Sequence, residues 1–131
     1  MNPSEKQNKK ILLVEDDPVT SMVETKIIAG FGYDVIPALN GEDAIRISLE
    51  DDEICLVLMD INLGRGIDGT EAARRILASR NIPIVFLTSH SEKEYVDRVR
   101  EITRYGYIIK NSGNFVLQSS IEMAFELFDG H

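Results

Sequence analysis

Six consecutive apolar residues, Ile54, Cys55, Leu56, Val57, Leu58 and Met59, run without interruption into Asp60. A strand with one wet face alternates polar with apolar residues, so an unbroken run belongs in a parallel sheet covered by helices on both sides. In such a sheet the first polar residue marks where the strand leaves the core. A carboxylate there is poorly explained by packing.

The same ending recurs along the chain. Ile11 to Val14 runs into Glu15, Asp16 and Asp17; Ile84 to Leu87 runs into Thr88; and Tyr107, Ile108 and Ile109 run into Lys110. Open parallel sheets bind ligands just beyond the carboxyl ends of their strands, so these endings can form one site if the strands are neighbours. Such a site would hold carboxylates, a hydroxyl and an ammonium.

The intervening segments read as helices. Asp17 and Pro18 supply a capping carboxylate and then a residue whose missing N–H costs nothing in a first turn. Val19, Met22, Val23 and Ile27 recur at helical spacing, and Gly30 and Gly32 mark the exit. Tyr33 to Ala38 is a weaker strand, interrupted by Asp34 and Pro37, which suits a sheet edge. Asn40 caps a helix with Glu42 and Asp43 in its first turn and with Ala44, Ile45 and Leu49 expected to face inward.

Asn62 to Gly69 is a glycine-rich loop, after which Asp68 and Glu71 have capping-box spacing ahead of Ala72, Ala73, Ile76 and Leu77. Ser91 and Glu94 form a similar pair before Val96, Val99 and Ile102, and Gly106 closes that helix. Leu117, Ile121, Ala124, Phe125 and Phe128 make the inner stripe of a last amphipathic helix. Strands and helices that alternate in this way, joined by right-handed crossovers, give an α/β, doubly wound (βα)5 fold around a parallel sheet. In the flavodoxin-like strand order 2-1-3-4-5 the first and third strands adjoin at the switch point. Glu15, Asp16 and Asp60 then meet.

Composition narrows the partners. A chain of 131 residues is long enough for one domain with its own core, expected over residues 10–129 behind a flexible leader of residues 1–9. Twenty-two acidic against fourteen basic side chains give a net charge of −8. No stripe of lysine and arginine is available to neutralise phosphates along a duplex, so direct nucleic-acid binding is not expected. No apolar run approaches the roughly 20 residues of a membrane helix, and no secretory segment is evident, so a cytoplasmic protein is expected. The single cysteine, Cys55, rules out an internal disulfide and a zinc site built from cysteines.

Three carboxylates brought together repel one another, and each is pushed toward its neutral form unless a cation joins them. An oxygen-only donor set without histidine or cysteine suits magnesium better than zinc. A carboxylate beside such a metal can act as a nucleophile toward a phosphoryl group. Lys110 would then place a point charge on one phosphoryl oxygen, and Thr88 would donate a hydrogen bond to another.

The segments ILLVEDDP, VLMDINL, IPIVFLTS and GYIIK, in this order, resemble the receiver domain of two-component response regulators. The likeness covers roughly residues 9 to 128. It implies that Asp60 accepts a phosphoryl group from a phosphohistidine of a sensor histidine kinase or a phosphotransfer protein. Asp16 and Asp60 would bind Mg²⁺ directly, Asn62 through its backbone carbonyl and Glu15 through water. Lys110 would pair with the phosphoryl group, Thr88 would follow the new charge inward, and Tyr107 would change rotamer with it. The face made by the fourth helix, fifth strand and fifth helix would carry the signal to a downstream protein target or to a second copy in a homodimer. The glycine-rich loop after Asp60 resembles that of receivers attached to hybrid sensor kinases. Asn111 stands where the family usually has proline, so a cis bond after Lys110 would cost ~3 kcal/mol.

Three other functions compete. A phosphohydrolase with an aspartyl nucleophile would need a second acid two residues on, where Asn62 stands. A flavodoxin-type carrier would need a hydroxyl and glycine loop after the first strand, where acids would repel a flavin phosphate. A degenerate receiver would bind partners without being phosphorylated.

Overall fold

The computed structural model describes residues 8–64, 66–89 and 93–130, with only the backbone of 93–95. The expected leader up to residue 7, and Ser91 and the Glu94 side chain of the expected capping pair, lie outside the described residues. Strands and helices alternate throughout: β1 (Lys10–Val14), α1 (Pro18–Gly30), β2 (Asp34–Ala38), α2 (Gly41–Glu50), β3 (Ile54–Asp60), α3 (Gly69–Ser79), β4 (Ile84–Thr88), α4 (Lys93–Ile102), β5 (Tyr107–Ile109) and α5 (Asn114–Asp129). The five strands form one parallel sheet in the order β2-β1-β3-β4-β5. This is the flavodoxin-like arrangement expected from the alternating strands and helices together with the receiver-domain resemblance. Among the described residues no helix is long and apolar enough to cross a membrane.

Strand alternation divides the core into two layers. Leu12, Val14, Val57, Met59, Ile84 and Phe86 point to one face, where Ala44, Ala72, Ala73, Ile76 and Val99 of α2, α3 and α4 cover them. Ile11, Leu13, Leu56, Leu58, Val85, Leu87 and Ile108 point to the other, under Ile28 of α1 and Ile121, Ala124 and Phe125 of α5. The run in β3 is apolar at every position because it serves both layers. Pro37 lies in β2 at the sheet edge, where a missing N–H removes no inner ladder bond.

Capping follows the sequence closely. The side chains of Asp17, Asn40 and Asp68 accept from the backbone N–H groups of Thr20, Asp43 and Glu71 at 2.9, 2.7 and 2.9 Å. Each satisfies a donor that the first helical turn would otherwise leave open.

Two helices bury different faces from those their apolar residues suggest. In α2, Leu49 is 55% exposed, whereas Ser48 is 1% exposed and its hydroxyl donates to the Ile45 carbonyl at 2.8 Å. Gly41, Ala44 and Ser48 form the inner row, so small residues let α2 approach the sheet and Leu49 falls outside it. In α1, Val19, Met22 and Val23 are more than half exposed, while Ser21 and Ile28 are buried. Apolar residues surround α1 on several sides, so periodicity identifies the helix without identifying its buried face.

Candidate functional site

Register carries the acids together. Val14 pairs with Met59, so the next residues, Glu15 and Asp60, leave adjoining strands side by side. Asp60 is opposite Leu87, and Thr88 is opposite Ile109, which places Lys110 just beyond the same edge. The backbone N–H of Lys110 donates to the Thr88 carbonyl at 2.8 Å, tying the last two strand ends to each other.

The ammonium of Lys110 reaches back over this edge. It donates to Oε1 of Glu15 at 2.6 Å and to Oδ2 of Asp60 at 2.8 Å. The other Asp60 oxygen, Oδ1, accepts from the Asn62 backbone N–H at 3.0 Å, and Oε2 of Glu15 accepts from the Asp17 N–H at 3.2 Å. One oxygen from each of Glu15, Asp16 and Asp60 lies within 4.8 Å of the others. These carboxylates could hold a metal ion.

The charges on the site are set by burial and by one another. Glu15 is only 2% exposed; burial pushes its carboxyl up to about 7, with the neighbouring Asp60 charge adding to the rise and the bonds from Lys110 and Asp17 opposing it. Burial alone would lower the Lys110 ammonium, but its hydrogen bonds to Asp60 and Glu15 outweigh that and hold it above its usual range. A cation joining the acids would remove the Asp60 repulsion that adds to the effect of burial on Glu15.

The other expected site residues take distinct places. Thr88 is buried at 1% exposure at the end of β4, joined to Lys110 through the backbone. Tyr107 lies at the opposite end of β5, paired with Phe86 and 36% exposed, apart from the acid cluster. Asp17 is a cap: its Oδ2 takes the Thr20 N–H and, at 2.5 Å, the Thr20 hydroxyl, and these bonds hold its carboxyl below the usual range. Asn111 takes a left-handed φ of 68°, which asparagine tolerates, and among the described residues no peptide bond is cis.

The loop between β3 and α3 and the first residue of α3 hold three features that the sequence alone does not single out. Gly64 donates its N–H to Oδ2 of Asp16 at 2.8 Å. Ile67 donates its N–H to Oε2 of Glu42 at 3.2 Å, and a β-carbon on Gly66, whose φ is 76°, would lie 2.6 Å from the other Glu42 oxygen. Gly69 packs on the backbone of Asp60 itself: a β-carbon there would lie 1.9 Å from the Asp60 carbonyl oxygen. The glycines are visible in the sequence, but what each one meets depends on the fold.

Comparison with known proteins agrees with this geometry. Residues 11–122 match the family model of the response regulator receiver domain, and the chain belongs to that family. It is 31% identical over 121 residues to the transcriptional regulatory protein PdtaR of Mycobacterium tuberculosis, covering 92% of this chain and 58% of that protein. It is 38% identical over 106 residues to the aerobic respiration control protein ArcA of Escherichia coli, covering 79% of this chain and 43% of that protein. The chain therefore spans about half the length of these two relatives.

Solved structures show the same likeness. The N-terminal domain of a response regulator/sensory box/GGDEF protein from Carboxydothermus hydrogenoformans superposes with a TM-score of 0.86 at 39% identity, over 93% of this chain and 98% of that one. The receiver domain of sensor histidine kinase PA1611 from Pseudomonas aeruginosa, solved with a magnesium ion in its active-site cleft, superposes with a TM-score of 0.80 at 28% identity, over 88% of this chain and 96% of that one. In this chain Glu15, Asp16 and Asp60 cluster as in a phosphoacceptor site.

Proposed function

We propose that Asp60 accepts a phosphoryl group from a phosphohistidine of a sensor histidine kinase or phosphotransfer protein, and that the chain acts as a switch rather than as a turnover enzyme. The observation that carries this reading is the bridge from Lys110 to both Glu15 and Asp60, at 2.6 and 2.8 Å, beside the cluster that includes Asp16. An ammonium fixed against the acceptor carboxylate is already aimed at the place where phosphoryl oxygens would arrive.

The donor set fits Mg²⁺: three carboxylates close enough to share an ion, with no nitrogen or sulfur ligand among them. The magnesium-bound receiver of PA1611 supports the same choice. Asp16 and Asp60 would hold the ion directly, Asn62 through its carbonyl, and Glu15 through water. When bound, Mg²⁺ neutralises charge on the transferring phosphoryl group. Asp60 supplies the attacking carboxylate oxygen: a P–O bond forms on it as the P–N bond to the donor imidazole breaks, and that nitrogen keeps the bonding pair. Lys110 steadies the negative oxygens of the transferred group, and Thr88 donates its hydroxyl to one of them.

The modified site then alters a surface. Thr88 and Lys110 are joined through the backbone at the end of β5, while Tyr107 and Ile109 of that edge strand are 36% and 40% exposed. Movement of Thr88 toward the new charge would pass along β5 to the α4-β5-α5 face and change its fit to a downstream protein or to a second copy. Incubation with Mg²⁺ and acetyl phosphate is expected to add one phosphate per chain, and Asp60→Asn is expected to take up none. Absence of uptake by the parent protein would favour the alternative, a degenerate receiver that binds partners without phosphorylation.

A further inference from the structure

Glu24 of α1 lines a cleft of about 460 Å³ between that helix and residues 110–114, and Lys110 lines the same cleft. The remaining walls are mixed: Val23, Ile27 and Ile108 are aliphatic, Asn111 and Ser112 polar. Oε1 of Glu24 is buried without a hydrogen-bond partner among the described residues. A buried carboxylate oxygen left without a donor is costly, and its presence calls for a donor that this arrangement does not supply.

Lys110 is the basic residue lining the cleft. Burial raises the Glu24 carboxyl above its usual range; the Lys110 charge opposes that rise and the Asp60 charge adds to it, so Glu24 lies within the field of the acid cluster. The Lys110 ammonium is committed to that cluster, 2.6 Å from Oε1 of Glu15 and 2.8 Å from Oδ2 of Asp60. The second oxygens of these two acids are taken by the backbone N–H groups of Asp17 and Asn62. A metal ion held by the same acids therefore meets an ammonium of like charge on the oxygens that remain.

Moving the ammonium away raises a second difficulty. A charge turned into a partly aliphatic cleft needs a counter-ion, and Glu24 is one. The flexible four-carbon stem of lysine lets the ammonium exchange acceptors while the backbone stays in place. The Lys110 N–H is bonded to the Thr88 carbonyl at 2.8 Å, so the stem pivots from a fixed point and can swing back toward Asp60. We infer that Glu24 is a positioning residue for Lys110, taking the ammonium on its orphaned oxygen when a divalent cation occupies the cluster of Glu15, Asp16 and Asp60. The inference rests on the proposed Mg²⁺ site and adds to it the residue that receives the displaced lysine.

Mg²⁺ titration calorimetry on the whole chain tests this in a double-mutant cycle of Glu24→Gln and Lys110→Met, with circular dichroism as the check on folding. With Lys110 present, Glu24→Gln is expected to weaken Mg²⁺ binding about threefold or more, because the ammonium loses its alternative acceptor; in the Lys110→Met background the same change is expected to cost less than about 1.5-fold. An equal loss in both backgrounds would identify a long-range effect of charge and overturn the inference, as would no loss with Lys110 present. A second measurement leaves Glu24 unchanged. Its carboxyl ¹³C resonance is expected to shift when Mg²⁺ is added to the parent and to stay in place in Lys110→Met; a resonance that ignores Mg²⁺ in the parent, or moves equally in both proteins, would overturn the inference. A parent that binds no Mg²⁺ would remove the proposed metal site and this inference together, whereas binding without the coupling to Lys110 would overturn this inference alone.

Discussion

Gly69 presses its α-carbon against the backbone of Asp60, so closely that a β-carbon would lie 1.9 Å from the Asp60 carbonyl oxygen and 2.9 Å from the α-carbon of Ile61. Its own N–H donates to the Ile61 carbonyl at 2.9 Å, which fixes the start of α3 against the end of β3. The obstacle to a side chain here is backbone, which cannot rotate away. Gly69→Ala is therefore expected to lower stability by about 2–4 kcal/mol, measured by urea unfolding. Gly41→Ala is the comparison: its β-carbon would meet the Ile67 side chain at 2.7 Å, and a side chain can move, so a smaller loss is expected.

Lys110 bridges two acids at once, and its removal should be felt in folding as well as in chemistry. Lys110→Met leaves Glu15 and Asp60, at 2% and 4% residue exposure, without their cation. Removing one partner of a buried pair costs ~3–5 kcal/mol when the remaining charge stays uncompensated, but proton uptake by Glu15 reduces that here. The expected loss is about 1–3 kcal/mol. Mg²⁺ should restore more stability to Lys110→Met than to the parent, read as a larger rise in Tm, while phosphoryl uptake from acetyl phosphate falls by at least about tenfold.

The strand endings were legible in the sequence because burial on both faces forbids polar residues until a strand leaves the core. Asp60, Thr88 and Lys110 are each the first polar residue after an apolar run, and parallel register then places them at one edge. Caps were legible for a related reason, since the side chains of Asp17, Asn40 and Asp68 bond locally and need no tertiary information. Leu49 was misjudged because the small residues Gly41, Ala44 and Ser48, rather than the largest ones, decide the inner row of α2. The bonds from Gly64 to Asp16 and from Ile67 to Glu42 join residues 48 and 25 positions apart. No local pattern encodes such pairs.

Glu15 makes the stability of the cation-free protein depend on pH. Its folded carboxyl is raised from 4.5 to about 7 by burial and by Asp60, so between these values the folded state binds more protons than the unfolded one. The sign follows directly: the contribution of protonated Glu15 is fully present below about 4.5 and is lost as pH rises through about 7. The slope is at most about 1.4 kcal/mol per pH unit, the value for one proton. Urea unfolding in the presence of a chelator is expected to show this fall between pH 5 and 7 relative to Glu15→Gln, and a parent and variant with parallel profiles would contradict the assignment. Added Mg²⁺ should flatten the difference, because a cation favours the ionised acid.

Asp16 cannot serve a cation and the loop without some competition between them. Its Oδ2 accepts the Gly64 N–H at 2.8 Å, and a β-carbon on Gly64 would lie only 2.8 Å from that same oxygen. The contact is with the end of a side chain, so Gly64→Ala is expected to be folded and to lose no more than about 1 kcal/mol of stability. Asp16 must move to admit the methyl group, and that displacement acts on the cluster it shares with Glu15 and Asp60. A ligand carboxylate moved by even a fraction of an ångström binds Mg²⁺ less well, because that ion tolerates little departure from its preferred geometry. The expected outcome is a several-fold weaker Mg²⁺ affinity in titration calorimetry, with Gly66→Ala, which meets Glu42 instead, leaving the affinity near that of the parent. Equal loss in both variants would show that loop strain, rather than the position of Asp16, governs the ion.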